Sequence, residues 1–281
     1  MKKRPIIHLK TRQQVISYPE KVIVSGKIVE WFEYEKPVIK GFGSRCPGRS
    51  NSSITSDEVK KHNREKIASR AKSKVRRTAN ANPDLNKFLT LTFKENVTDL
   101  NFAWREFDKF IKRLKTRFKN FKFINVIEFQ ERGAVHFHLL CNLPYVDVNE
   151  LAKIWGNGFI KLNRIDEVDN VGAYITKYMT KDNIDERLIG RKCYSMSRGL
   201  KKPKEYTHKE EVKEVLKNLA KSLKKVKRSY TSTFETEHYG KITYTQYVLS
   251  EEITLPRKRH RFMDFVKARL CPLPDDTPTP F

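Results

Sequence analysis

The tightest constraint on this chain lies in the segment Val135-His136-Phe137-His138-Leu139-Leu140. Side chains along an extended strand alternate between two faces. As a strand, the segment therefore turns His136 and His138 one way and Val135, Phe137 and Leu139 the other. Just upstream runs Glu128-Phe129-Gln130-Glu131-Arg132-Gly133-Ala134, which reads as a second strand and a turn. A three-residue loop, Arg132-Gly133-Ala134, with Gly133 at positive φ, sets Gln130 opposite His136 and Glu128 opposite His138. A two-residue loop would slip the register by one and press Glu128 against Phe137, burying a carboxylate among aromatics. The three-residue loop is preferred. It gathers two imidazoles, a carboxylate and an amide on one face, a set suited to a divalent cation, Mg²⁺ or Mn²⁺. Glu128 and Gln130 both remain open as the third ligand beside His136 and His138.

A second motif follows: Tyr174-Ile175-Thr176-Lys177-Tyr178-Met179-Thr180-Lys181. Residues four apart are neighbours on a helix, so Tyr174 and Tyr178 stack one above the other, each with a lysine three residues on. Asp169 or Asn170 can cap this helix, which is expected to run through Lys181. Val171, Ile175 and Met179 form its core-facing stripe. The two hydroxyls then emerge at the stripe's edge, with Lys177 and Lys181 further round. Two tyrosines at a helix edge are common as packing residues. The doubled Tyr-x-x-Lys beside a metal-capable face also makes them candidate nucleophiles, with the lysines offsetting charge on a phosphoryl transition state.

Charge narrows the partner. Fifty-eight Lys and Arg against 33 Asp and Glu give a net charge of +25 in 281 residues, which favours a polyanion, nucleic acid first. No stretch approaches the roughly 20 apolar residues of a membrane span. Met1-Lys2-Lys3-Arg4 precedes only a short apolar run, unlike a secretory signal. Cys46, Cys141, Cys193 and Cys271 are far apart and read as reduced thiols of a cytoplasmic protein. The absence of a Gly-x-x-x-x-Gly-Lys-Ser/Thr loop argues against a built-in ATPase of that type.

Three regions are expected: a strand-rich segment with a basic helix over 1–80, a catalytic domain over 81–205, and a basic extension over 206–281. In the first, 22–24 and 27–34 flank a turn at Ser25-Gly26. A very basic helix follows from Ser56 to about Asn80, anchored by Val59 and Ile67, and serves either as a solvated face or as a phosphate grip. In the second, strands are expected at 88–93, 123–129, 135–141 and 158–162, and helices at 99–118 and 147–155 before the tyrosine helix. That order is α+β, with a mostly antiparallel sheet flanked by helices. In the third, a helix over 210–228 precedes strands at 230–235 and 241–249, with Gly240 in their turn. The proline-rich end, 270–281, reads as loose.

Over roughly 87–181 the chain resembles the His-hydrophobic-His endonucleases, and among them the two-tyrosine rolling-circle replication initiators of single-stranded-DNA phages and plasmids. Phe88-Leu89-Thr90-Leu91-Thr92-Phe93 matches the family's first motif strand. Glu128 to Gly133 with His136-Phe137-His138 matches its metal motif, and Tyr174 to Lys181 its two-tyrosine motif. Tyr194-Ser195-Met196-Ser197-Arg198-Gly199-Leu200 also looks family-like, with no role assigned. The resemblance implies a ferredoxin- or RRM-like core with about five antiparallel strands. It also implies origin nicking and rejoining through a 5′-phosphotyrosine, work alongside a host helicase and polymerase, and a bacterial host cytoplasm. The rivals are a transposase or relaxase of the same chemistry, and a non-catalytic module that reads single strands by stacking on exposed sheet aromatics.

Overall fold

The computed structural model describes residues 16–40, 57–179, 186–188 and 191–256. It is built on two antiparallel five-stranded sheets. The first contains β3 (Lys87–Phe93), β4 (Phe123–Phe129), β5 (Val135–Cys141), β6 (Gly158–Arg164) and β7 (Tyr194–Met196), in the order β6-β3-β5-β4-β7. The second contains β1 (Ile16–Ser25), β2 (Ile28–Lys40), β8 (Lys204–Tyr206), β9 (Val226–Thr236) and β10 (Gly240–Leu249), in the order β8-β1-β2-β10-β9. The helices are α1 (Asp57–Asn80), α2 (Leu100–Arg117), α3 (Val148–Trp155), α4 (Val171–Thr176) and α5 (Lys209–Lys221). The expected α+β class with an antiparallel sheet is what forms. Strands from both flanks of the catalytic segment pair with one another to make the second sheet. Among the described residues no helix is long and apolar enough to cross a membrane.

The first sheet is covered on both faces, by different means. One face carries Leu91, Phe93, Phe123, Ile127, Phe129, Val135, Phe137 and Leu139 against the apolar stripe of α2. Phe107 stacks on Phe137 with ring centroids 4.5 Å apart. Asp99 caps α2, accepting from the Asn101 amide at 2.8 Å, so the helix starts one residue later than its charge pattern suggests. On the other face Phe88, Ile124, Val126 and Leu140 meet Ile175 and Met179 of the tyrosine segment and Val75 and Ala79 of α1. Cys141 is buried and free and Cys193 is free; Cys46 and Cys271 lie outside the described residues.

Four local expectations are corrected. The basic helix α1 is not anchored by Val59 and Ile67, which are exposed; Val75 and Ala79 are buried instead, because only the last turns of α1 reach the sheets. The helix expected over 210–228 ends at Lys221, and β9 already begins at Val226. Val226 joins the apolar cluster beneath α5, and the pairing of β9 with β10 over its whole length overrides helix propensity there. The tyrosine helix is α-helical only to Thr176 and tightens to a 3₁₀ turn over Lys177–Met179. Finally, β7 and β8 are three-residue strands too short to carry a periodic signal. Strand β7 falls on Tyr194-Ser195-Met196 and pairs with β4 at the sheet edge.

Helix α1 joins the two sheets. Val75 and Ala79 face the first sheet, while Arg76 and Arg77 reach Glu30 of β2 in the second. Glu30 is only 1 % exposed. It accepts from Arg76 Nη2 at 2.5 Å, Arg77 Nε at 2.6 Å and the Tyr244 hydroxyl at 3.0 Å. A buried carboxylate with this many donors is satisfied, and removing it strands the cations. Glu30→Ala is expected to destabilise the fold by about 3 kcal/mol in urea titration, whereas truncating the exposed Val59 should cost under about 0.5 kcal/mol.

Candidate active site

Strand β5 lies at the centre of the first sheet, and its alternation sets the site. Val135, Phe137, Leu139 and Cys141 are fully buried toward α2. His136 and His138 consequently point to the opposite face, at 7 % and 4 % exposure. Glu128 of β4 joins them there. One ligand atom from each of Glu128, His136 and His138 lies within 4.8 Å of the others, an arrangement that could hold a metal ion.

The hairpin register differs from the expected one by two residues. Glu128 pairs with His136, and Val126 pairs with His138. The loop is Glu131-Arg132-Gly133, closed by Gln130 N–H donating to Ala134 O at 2.9 Å and Gly133 N–H to Gln130 O at 2.7 Å. Gly133 does take the positive φ, +81°. Arg187 locks the turn from outside, donating to the Gly133 carbonyl at 2.8 Å with its guanidinium 3.8 Å from the Phe129 ring centroid. An even shift preserves facing, so Glu128 stays on the histidine face. It reaches His138 diagonally, Oε2 to Nε2 at 2.7 Å. Gln130 sits one pair further out, opposite Ala134, and its Oε1 accepts from Arg132 Nε at 3.1 Å.

The two imidazoles differ in surroundings. His138 Nδ1 lies 3.1 Å from Thr90 Oγ1, and its Nε2 faces Glu128. Such a partner on the far nitrogen orients a ring and selects its tautomer. His136 Nε2 is buried without a hydrogen-bond partner among the described residues. Burial first, and the neighbouring His138 second, hold the His136 pKa below its usual value. The ring is therefore neutral near pH 7 with a nitrogen lone pair available. A buried nitrogen without a partner, beside a second imidazole and a carboxylate, fits a divalent cation.

The tyrosines arrive on α4 and the turn that follows it. Asn170 caps α4, its Oδ1 accepting from the Ala173 amide at 2.9 Å and from Asn80 Nδ2 at 3.0 Å. Asn80 Oδ1 in turn accepts the Gly172 amide at 2.7 Å. Gly172 is required by this docking, since a Cβ there would overlap the Arg76 carbonyl of α1. The result brings Tyr178 onto the metal-capable face, its ring stacked on His138 at 3.9 Å between centroids and 23° between planes. Phe88 supports both tyrosines, 5.3 Å from Tyr178 and 4.9 Å from Tyr174. Burial, the hydrogen bond to Tyr174 and the charge of Glu128 push the Tyr178 hydroxyl up to about 12. It is a phenol near neutral pH, and a positive charge close by would ease its ionisation. Lys177 is exposed, with Nζ 5.8 Å from the Tyr174 ring centroid. Lys181 lies outside the described residues.

Sequence reasoning therefore named Glu128, His136, His138, Tyr174 and Tyr178, which converge. It missed Thr90, Phe88, Asn80, Gly172 and Arg187. Thr90 was within reach of inspection, because it sits on the same strand face as the histidines once β3 pairs with β5. The contacts of Asn80 and Arg187 are long-range, and no local pattern marks them.

Residues 86–183 match the family model of the replication-associated protein ORF2. No curated protein and no solved structure matches the chain. The matched segment runs from β3 through the tyrosine turn and contains every metal-ligand and tyrosine candidate discussed above. The match supports a rolling-circle replication initiator, and DNA as the partner of such a protein.

The docking of α4 on α1 yields a test. Gly172→Ala is expected to cost about 2 kcal/mol by overpacking. It should also disturb the Tyr178–His138 stack, seen as a change in the His138 imidazole NMR shifts that Ala173→Ser does not produce.

Proposed function

We propose that this protein starts rolling-circle replication by cutting one origin strand and rejoining it through its paired tyrosines. The observation that carries this reading is the stacking of Tyr178 on His138, beside Glu128 and within contact of Tyr174. Nucleophile candidates and metal-capable groups reach one face from separate parts of the chain, although a packing role alone would not require them to meet.

In this reading a tyrosine oxygen forms a bond to a backbone phosphorus, and the bond from phosphorus to the 3′ oxygen breaks. The phenolic proton leaves through solvent and the 3′ oxygen takes up a proton, so a free 3′-hydroxyl and a 5′-phosphotyrosine result. His136, His138 and Glu128 would hold the metal. When bound, Mg²⁺ or Mn²⁺ supplies Lewis-acid polarisation of the scissile phosphate. Thr90 orients His138, and Phe88 holds both tyrosine rings. Lys177, and in this scheme Lys181, offset charge on the phosphoryl oxygens. The free 3′-hydroxyl primes a host polymerase behind a host helicase, in the cytoplasm of a bacterial host. The second tyrosine makes the second cut after a round of synthesis, and the freed 3′-hydroxyl then closes the circle at the first phosphotyrosine.

Supercoiled DNA carrying the origin tests the scheme. His136→Ala, His138→Ala and Glu128→Ala should each lower nicking at least about a hundredfold, as should a chelator. Tyr174→Phe and Tyr178→Phe should each keep some single nicking and lose multi-round circle formation, and the double variant should form no covalent adduct by mass spectrometry. One single mutant producing circles like wild type would demote that tyrosine to packing. Thr90→Val acts through His138 and should weaken Mn²⁺ affinity about 10- to 100-fold in calorimetric titration. Thr90→Ser, which keeps the hydroxyl, should restore most of it.

A further inference from the structure

The second sheet is covered on one face only in part. Its other face packs on α5 through Val22, Val24, Val29 and Leu249. Cross-strand pairing puts Phe32 opposite Tyr244, Tyr34 opposite Ile242, Ser232 opposite Tyr244 and Phe234 opposite Ile242, all on the partly covered face. Tyr230 shares that face opposite Gln246. The rings form a connected row: Tyr34 to Phe32 at 6.4 Å, Phe32 to Tyr244 at 4.9 Å, Tyr244 to Tyr230 at 6.4 Å. At its outer end, on edge strand β9, Tyr230 is 60 % and Phe234 46 % exposed. Isolated exposed aromatics are ordinary, but a row of them across three strands is a surface feature that a partner normally covers.

Its charge is one-sided. Lys21 Nζ lies 4.7 Å from the Phe32 ring centroid and the Arg77 guanidinium 5.8 Å. Arg228 stands on β9 two residues before Tyr230, on the same face. The carboxylate within this face, Glu30, is buried under Arg76 and Arg77, and the nearby Glu205 binds Lys40. The face is also continuous with the tyrosines. A cleft of about 500 Å³ is walled by Arg228, Tyr230 and Gln246 on one side and Asn170, Tyr174 and Lys177 on the other.

We infer that this open aromatic face binds single-stranded DNA, stacking bases on Tyr230, Phe234, Tyr244 and Phe32 while Lys21 and Arg228 accompany the phosphates. Aromatic rings accept any base, because every base has a π-face, and flanking cations track the backbone. A duplex hides its base faces and gains nothing from the rings. The occupant is a nucleic acid strand on charge grounds, given the +25 excess. The cleft makes it the strand exposed next to the cut; that last link rests on the proposed nicking function, whereas the binding itself does not.

The test uses the full chain with chelator present, so that binding is read without cutting. The probes are a fluorescein-labelled 20-mer of oligothymidylate, the matching oligouridylate and a 20-base-pair duplex, followed by anisotropy over a range of salt. Tyr230→Ala with Phe234→Ala, both at exposed positions, should weaken oligothymidylate binding about tenfold or more with its salt slope unchanged. Duplex binding should change less than about twofold, and Tyr230→Trp should retain the wild-type affinity. Lys21→Gln with Arg228→Gln should instead lower the salt slope. An unchanged oligothymidylate affinity in the double aromatic variant would overturn the inference, as would equal losses on single strand and duplex. Oligouridylate bound tenfold more tightly than oligothymidylate would overturn it in favour of RNA. Loss of nicking in His136→Ala with binding intact would support a separate platform, while a nicking-inactive wild type that still shows the aromatic effect would overturn only the catalytic reading.

Discussion

The alternation of β5 carries everything else. Its inward row, Val135, Phe137, Leu139 and Cys141, is buried beneath α2, and the stacking of Phe107 on Phe137 leaves no room for a slip of one residue. Such a slip would drive two imidazoles into an aromatic core and expose Phe137, losing about 2 kcal/mol of apolar burial for that ring alone. The histidine face is thus held in place by packing on the opposite side of the sheet. Because β5 is central, paired by β3 and by β4, neither edge can fray and let it rotate.

A catalytic face needs its second component brought from elsewhere, and α1 does this. Its last turns lie under α4, where Asn80 bonds the Gly172 amide and the Asn170 cap, so the tyrosine segment is aimed by a helix some 90 residues earlier in the chain. The same turns send Arg76 and Arg77 to Glu30, which ties the catalytic sheet to the second one. The basic helix that composition marks as a phosphate grip is therefore also a structural tie at one end, with its exposed charges confined to the earlier turns. Site geometry and the relative placement of the two sheets share one element, so a perturbation of either is felt by the other.

The passage from α-helix to 3₁₀ turn falls between the two tyrosines. A 3₁₀ turn has fewer residues per turn than an α-helix, so Tyr178 is rotated relative to the position a continuous helix would give it. It stacks on His138, while Tyr174 lines the cleft with Lys177. Identical motif halves thus acquire different surroundings, which is useful to an enzyme whose two nucleophiles act in turn.

What the sequence determined by itself was facing and type. The period of two around His136 and His138, the helical stripe of Val171, Ile175 and Met179, and the glycine at the hairpin turn were all local. They identified the α+β catalytic core, and they identified Glu128, His136, His138, Tyr174 and Tyr178 as the residues to watch. The hairpin register was not local: shifts of two residues satisfy the same alternation, and the turn's hydrogen bonds with the Arg187 clamp choose between them. The second sheet escaped for the same reason. Strands at opposite ends of the chain pair only when the intervening core brings them together, and nothing in either strand names the other. Alternation is written in neighbouring residues, whereas register, strand order and the meeting of Tyr178 with His138 depend on contacts between distant ones, which only the folded chain decides.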